Sequence, residues 1–139
     1  MSIDDHAADI RDEFSFFDDW EDRYAHIIDL GKANPPLKDH ERNEITRVRG
    51  CASQVWLVSE VNENATLTIR AQSDAMIVSG LIALLVRLYS GAMPKDILAF
   101  DINSFLAEIG VTGALTAQRS NGLASMVERI RADANRALG

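Results

Sequence analysis

The spacing of hydrophobic residues switches along the chain from helical to alternating and back to helical. Trp20, Tyr24, Ile27 and Ile28 recur at helical intervals and share one face. Asp18 or Asp19 is placed to cap that helix, and Glu21 and Asp22 favour its positive end. Gly31 supplies a C-cap, and Pro35-Pro36 forbid continuation. A shorter acidic helix is predicted ahead of it, over about Ala8 to Phe17. The pattern then changes. Val55 to Val61 is rich in β-branched and aromatic residues, and Ala65 to Ala71 alternates, with Leu67, Ile69 and Ala71 on one face. Asn62-Glu63-Asn64 between them is turn chemistry, so the two form an antiparallel hairpin. Ile45 to Arg49 is a candidate third strand.

Helical spacing returns after the hairpin. Ser73 or Asp74 is positioned to cap a helix that is apolar almost all round, from Met76 to Leu88, and such a helix belongs in the middle of a domain. Gly91 ends it, and Pro94 opens a short helix where its missing N–H costs nothing. Another short helix is predicted over about Ile102 to Ile109. The last, about Ala117 to Leu138, carries Leu123, Met126, Val127, Ile130, Ala134 and Leu138 on one stripe, with Arg129, Arg131 and Arg136 toward its negative end. Strands in one block flanked by helices give an α+β class: a small antiparallel sheet of about three strands covered by helices.

Charge adds one feature. The overall formal charge of −7 is concentrated before residue 23, where nine carboxylates face Arg11 alone and leave a near-neutral body. The expectation is a single domain over 1–139 with an acidic, solvated arm in about 1–17. No cluster of Lys and Arg offers the phosphate neutralisation that nucleic-acid binding needs. The longest apolar stretch, Ala75 to Val86, is too short to span a bilayer. An acidic start does not resemble a transit peptide, and a lone cysteine suits a reducing compartment, so a cytoplasmic location is expected.

Little conventional catalytic chemistry is on offer. His6, His26 and His40 lack ligand spacing, and neither a Gly-rich phosphate loop nor a nucleophile elbow occurs, so no metal or cofactor is expected. Cys51 stands apart because it follows Gly50 at the junction between the candidate strand and the hairpin. Glycine there permits a sharp bend and leaves room for a partner to approach the sulfur. Arg47 and Arg49, just upstream, would favour thiolate if they point inward. From the residues alone two readings stay open: a reactive thiol, or a small hydrophobe packed beside Val55 and Trp56.

The local sequence bears on that choice. Val48-Arg49-Gly50-Cys51-Ala52-Ser53-Gln54-Val55-Trp56 resembles the V-x-G-C-x-S-x-V-W signature of the SufE family, which includes CsdE. Ser73-Asp74-Ala75 followed by Gly80-Leu81-Ile82-Ala83 is similar to the family's central helix, and residues 94–101 (PKDILAFD) to its next segment. Leu115 to Leu123 resembles the family's L-[ST]-x-x-R-x-x-G-L run, with Arg119 as its arginine and Gly122 as its glycine. Trp20-Glu21-Asp22-Arg23-Tyr24 and Ile27-Ile28-Asp29-Leu30-Gly31 fit its N-terminal pattern. The resemblance runs in order from about Trp20 to the C-terminus.

What the resemblance implies is an α+β fold of the kind shared with IscU-type scaffolds, and a sulfur-transfer role for Cys51. The implied partner is a pyridoxal-phosphate cysteine desulfurase of SufS or CsdA type, whose persulfide sulfur passes to Cys51 and then to an iron–sulfur scaffold. The chain itself would act as an accessory protein without a cofactor. Gly50, Ser53 and Gln54 would shape the loop. Arg119 would contact the partner or position the loop, or else cap the start of the last helix or form a surface ion pair, and Asp74 would cap its helix or touch the partner. An iron–sulfur scaffold needs several converging ligands, and this chain has one cysteine. A thiol peroxidase or redox sensor needs a low-pKa cysteine.

Overall fold

A computed structural model describes residues 2–51, 53–111 and 117–139, with the side chains of 117–120 outside the described set. In chain order the elements are α1 (Ile3–Phe14), α2 (Trp20–Ala33), a 3-10 turn (Asp39–Glu41), β1 (Val55–Val61), β2 (Leu67–Ser73), α3 (Met76–Tyr89), α4 (Pro94–Ala99), α5 (Ile102–Glu108) and α6 (Ala117–Leu138). This is the expected α+β class. The strands pair antiparallel from Val55↔Ser73 to Val61↔Leu67. Leu57, Leu67, Ile69 and Ala71 point from the hairpin into the core. There α3 lies against β2, and α6 reaches β1.

The first helix begins earlier than Ala8. Ser2 and Asp5 form a capping box: the Asp5 N–H donates to the Ser2 hydroxyl (3.2 Å), and the Ser2 N–H donates to the Asp5 carboxylate (3.1 Å). Ile3, Ala7, Ile10 and Phe14 then fall on one face and are buried. The segment expected as an arm is thus an amphipathic helix with its apolar side in the core, while Asp4, Asp5, Asp9 and Asp12 stay exposed.

Two helix ends also differ from expectation. Gly31 does not cap α2, which runs on to Ala33, with Asn34 at its C-cap. Gly31 instead lies against α3, where an added Cβ would come within 2.6 Å of the Gly80 backbone nitrogen. A Cβ on Gly80 would collide with the Ile27 carbonyl oxygen. The two glycines let α2 and α3 meet backbone to backbone. Of the apolar face read on α2, only Ile27 is fully buried, and Trp20 is exposed and packs edge-on against Tyr24 at 5.2 Å. At the start of α3 the cap position is Ala75, with no side-chain cap. Ser73 accepts from the Ala75 N–H at 3.2 Å, and Asp74 faces elsewhere.

The candidate third strand reduces to a single bridge, Arg47↔Trp56. Asn43 is the cause. Its side-chain oxygen accepts from the N–H groups of Ile45 (2.9 Å) and Thr46 (3.1 Å), and its carbonyl accepts from Arg47 N–H at 3.0 Å. That local turn curls residues 43–47 away from an extended path. The described sheet therefore has two strands. The second strand also starts later than Ala65, which sits in the turn at φ 70°. Trp56 is half-buried on the face of β1 opposite Leu57.

Replacing Gly80 by Ala should destabilise the fold by about 3 kcal/mol, because backbone must move to make room. Gly91→Ala is the control: its φ of +87° is unfavourable, but the nearest atom to an added Cβ is His6 Cε1 at 3.9 Å. That change should cost only about 1 kcal/mol. Urea unfolding of both variants checks the order, and equal losses would refute the role given to the helix crossing.

Candidate functional site: the cysteine loop

The loop from Arg49 to Gln54 joins the bridged segment to β1. It is fixed at its upstream end by Val48 N–H donating to the Val55 carbonyl at 2.8 Å, with the Val48 side chain in the core. It is fixed downstream by a reciprocal pair. The Gln54 N–H donates to the Asp74 carboxylate at 3.0 Å, and the Asp74 N–H donates to the Gln54 carbonyl at 3.2 Å. Asp74 therefore serves the cysteine loop rather than the helix that follows it.

Gly50 is needed for two physical reasons. Its φ is +89°, a region that disfavours side chains, and an added Cβ would strike the Ser125 hydroxyl. The bend directs Cys51 back onto α6. There the thiol donates to the Gly122 carbonyl at 3.5 Å, and a Cβ on Gly122 would rest 3.5 Å from the sulfur. Cys51 is half-buried and packs against the core. Burial pushes its pKa up, and the nearby charge of Arg47 opposes this without overcoming it. Arg49 does not help, because it lies at the surface and pairs with Glu44 at 3.2 Å. The resting group is a sheltered thiol.

Of the other residues singled out from the sequence, Ser53 is half-buried within the loop and Gln54 is exposed, tied through its backbone. Arg119 lies in α6, with its side chain outside the described residues. Gly122 and Ser125, on the α6 face behind the loop, had no role assigned from the residues. Gly122 was visible only as a position in the matched motif. Its signal is a glycine inside a long helix, which costs stability unless something approaches closely.

Comparison with known proteins bears on what such a loop is for. The family model SufE, described as an Fe-S metabolism associated domain, matches residues 8–134. The chain belongs to the SufE family. An uncharacterized SufE-like protein from Rhizobium etli is 48% identical over 128 residues, covering 90% of this chain and 86% of the relative. Another from Rhizobium meliloti is 42% identical over 128 residues, covering 90% of this chain and 91% of its own length. The solution structure of a hypothetical protein from Thermus thermophilus superposes with a TM-score of 0.78 at 20% identity over 96% of each chain, a likeness of fold. SufE membership places the chain in iron–sulfur metabolism, with a sulfur donor as its general partner. The match begins within α1, at residue 8. No described helix is long and apolar enough to cross a membrane.

The environment of Cys51 sets a pH profile. Because burial raises its pKa, alkylation by iodoacetamide should be slow at neutral pH and should climb only above the ordinary thiol range. Arg47→Ala removes the opposing charge, so its midpoint should lie higher still. A midpoint below that of free cysteine, or one that falls in Arg47→Ala, would contradict the assignment of burial as the dominant cause.

Proposed function

We propose that Cys51 accepts sulfane sulfur from a pyridoxal-phosphate cysteine desulfurase of SufS or CsdA type and delivers it to iron–sulfur cluster assembly. The observation that carries this reading is the seat of the thiol. In a SufE-family chain, Cys51 lies at the tip of a glycine-bent loop with its sulfur against the Gly122 carbonyl. The step is a thiol exchange. The Cys51 thiolate attacks the outer sulfur of the desulfurase cysteine persulfide. The bond between the two desulfurase sulfurs breaks, its electrons stay on the departing cysteine as thiolate, and Cys51 becomes the persulfide. No external oxidant is consumed, and the chain needs no cofactor of its own.

The raised pKa gives the partner something to do. A thiol seated on Gly122 is a poor nucleophile, so docking must lift the loop from α6 and expose the sulfur, where the thiolate forms more readily. When the loop closes, the same seat shelters the persulfide from oxidation. A peroxidase or redox-sensor reading is less well supported, because those roles need a thiolate at rest. An iron–sulfur scaffold would need ligands beyond the one cysteine of this chain. A cytoplasmic location fits the reducing conditions that a free thiol requires.

The protein, incubated with a SufS-type desulfurase, pyridoxal phosphate and cysteine, should gain the mass of one sulfur under non-reducing conditions. The gain should vanish in Cys51→Ser and on adding reductant. An unmodified mass, with no rise in desulfurase turnover across several such enzymes, would sink the proposal and leave Cys51 as packing.

A further inference from the structure

The segment that leads into the cysteine loop lies along one face of α6. Gly122, Ser125, Arg129 and Asp133 follow at intervals of three, four and four residues, so they share that face. Gly122 meets the Cys51 sulfur, and Ser125 backs Gly50. One turn further on, the Arg129 guanidinium donates to the Ile45 carbonyl at 2.8 Å and to the Arg47 carbonyl at 3.3 Å. Asp133 stands behind it, 3.6 Å from Arg129 Nε. That carboxylate is only 8% exposed, accepts from the Ser59 hydroxyl at 2.6 Å and is paired with Arg136. It is anchored to β1 and holds the guanidinium by charge.

Among the described residues, few other contacts fix residues 44–47 to the body. The Ile45 side chain is 83% exposed, and the Arg49–Glu44 pair is a surface contact of small worth. The Asn43 turn bonds are internal to the segment. The other ties among the described residues are the Leu57 N–H to the Thr46 carbonyl at 2.9 Å, the Thr46 hydroxyl to the Glu41 carbonyl at 2.6 Å and, next along the chain, the Val48 N–H to the Val55 carbonyl at 2.8 Å. A planar fork carrying several N–H donors suits two successive carbonyls in a way that an ammonium does not.

We infer that Arg129, aligned by Asp133, is a positioning residue: by gripping the Ile45 and Arg47 carbonyls it seats the upstream limb of the cysteine loop on α6 and restrains the release of Cys51. This rests on the reading of Cys51 as the reactive group. Because the carbonyls of so exposed a segment can turn to water, losing the grip should loosen the limb rather than unfold the domain.

The test compares Arg129→Met and Arg129→Lys with the parent protein, with no partner present. Cys51 alkylation is followed by intact mass, and amide exchange is read at Val48 N–H in the limb and at Leu85 N–H in the core of α3. Arg129→Met should be alkylated roughly tenfold faster, as expected for lost charge-assisted hydrogen bonds, with a parallel loss of protection at Val48 and none at Leu85. Arg129→Lys, which keeps the charge but not the fork, should fall between the two. Alkylation within about twofold of the parent would overturn the inference. So would equal acceleration of exchange at Val48 and Leu85, which marks general loosening. Should the Met variant not fold, the same readings on the Lys variant decide. Persulfide formation by the unaltered protein is a separate measurement, so failure of either proposal is seen independently of the other.

Discussion

The direct contact of α2 with α3 through Gly31 and Gly80 is the constraint on which the path to the cysteine depends. Side chains ordinarily hold packed helices 8–10 Å apart, and glycine at the crossing permits a closer approach. Once α2 is drawn in, its C-terminal end arrives beside β2. Asn34 then donates to the Ala71 carbonyl at 2.8 Å, and Leu37 N–H donates to the Gln72 side chain at 2.7 Å. Farther along, Glu41 pairs with Arg70, which holds that carboxyl down at about 2. The chain is thus laid along the hairpin from residue 34 to 42 before it turns toward Cys51. A wider crossing would move this strip, and the limb of the cysteine loop with it.

The loop is held by unlike means at its two ends. Downstream, Asp74 and Gln54 exchange two hydrogen bonds, and β1 continues directly into the ladder with β2. Upstream, the connection depends on Val48 and on contacts to α6. In the proposed opening, the doubly bonded downstream end would act as the hinge, and the upstream limb would lift with Val48 leaving its Val55 partner. The Cys51 sulfur lies against Gly122 on α6, so lifting the upstream limb separates it from both its hydrogen-bond acceptor and its apolar surroundings. Desolvation is the first cause of the raised pKa, so the proposed opening would remove that cause as the sulfur meets water.

Much of this was legible in the sequence, and the exceptions share a cause. The hairpin, the bounds of α6 and the apolar run of α3 followed from periodicity, which reports on burial. The cysteine loop was legible as a motif. Side chains with two competing local uses were not. Gly31 reads equally as a helix stop or as a close approach, and only the position of α3 decides. Asp74 reads as a cap, yet the Gln54 N–H offered another donor brought near by strand pairing. Asn43 turned a strand-like stretch into a curl by satisfying backbone groups locally. On α1, the density of carboxylates masked Ile3, Ala7, Ile10 and Phe14, whose spacing is helical, and the capping box at Ser2 and Asp5 was there to be read.

The arginines of α6 show the same limit and bear on function. A favourable interaction with the helix dipole explains a cation near a C-terminus without assigning it a partner, and it is worth little at an exposed site. Arg131 donates instead to the Leu98 carbonyl at 2.9 Å, tying α6 to α4. Arg129 reaches in another direction, to the limb before the cysteine. Two residues apart on one helix, they join the scaffold on one side to the loop on the other. The helix that supplies the floor for the sulfur is therefore itself fixed to the body through a neighbouring arginine. In the proposed transfer, a loop released from such a floor would move against a rigid surface, and the thiol would return to the same seat.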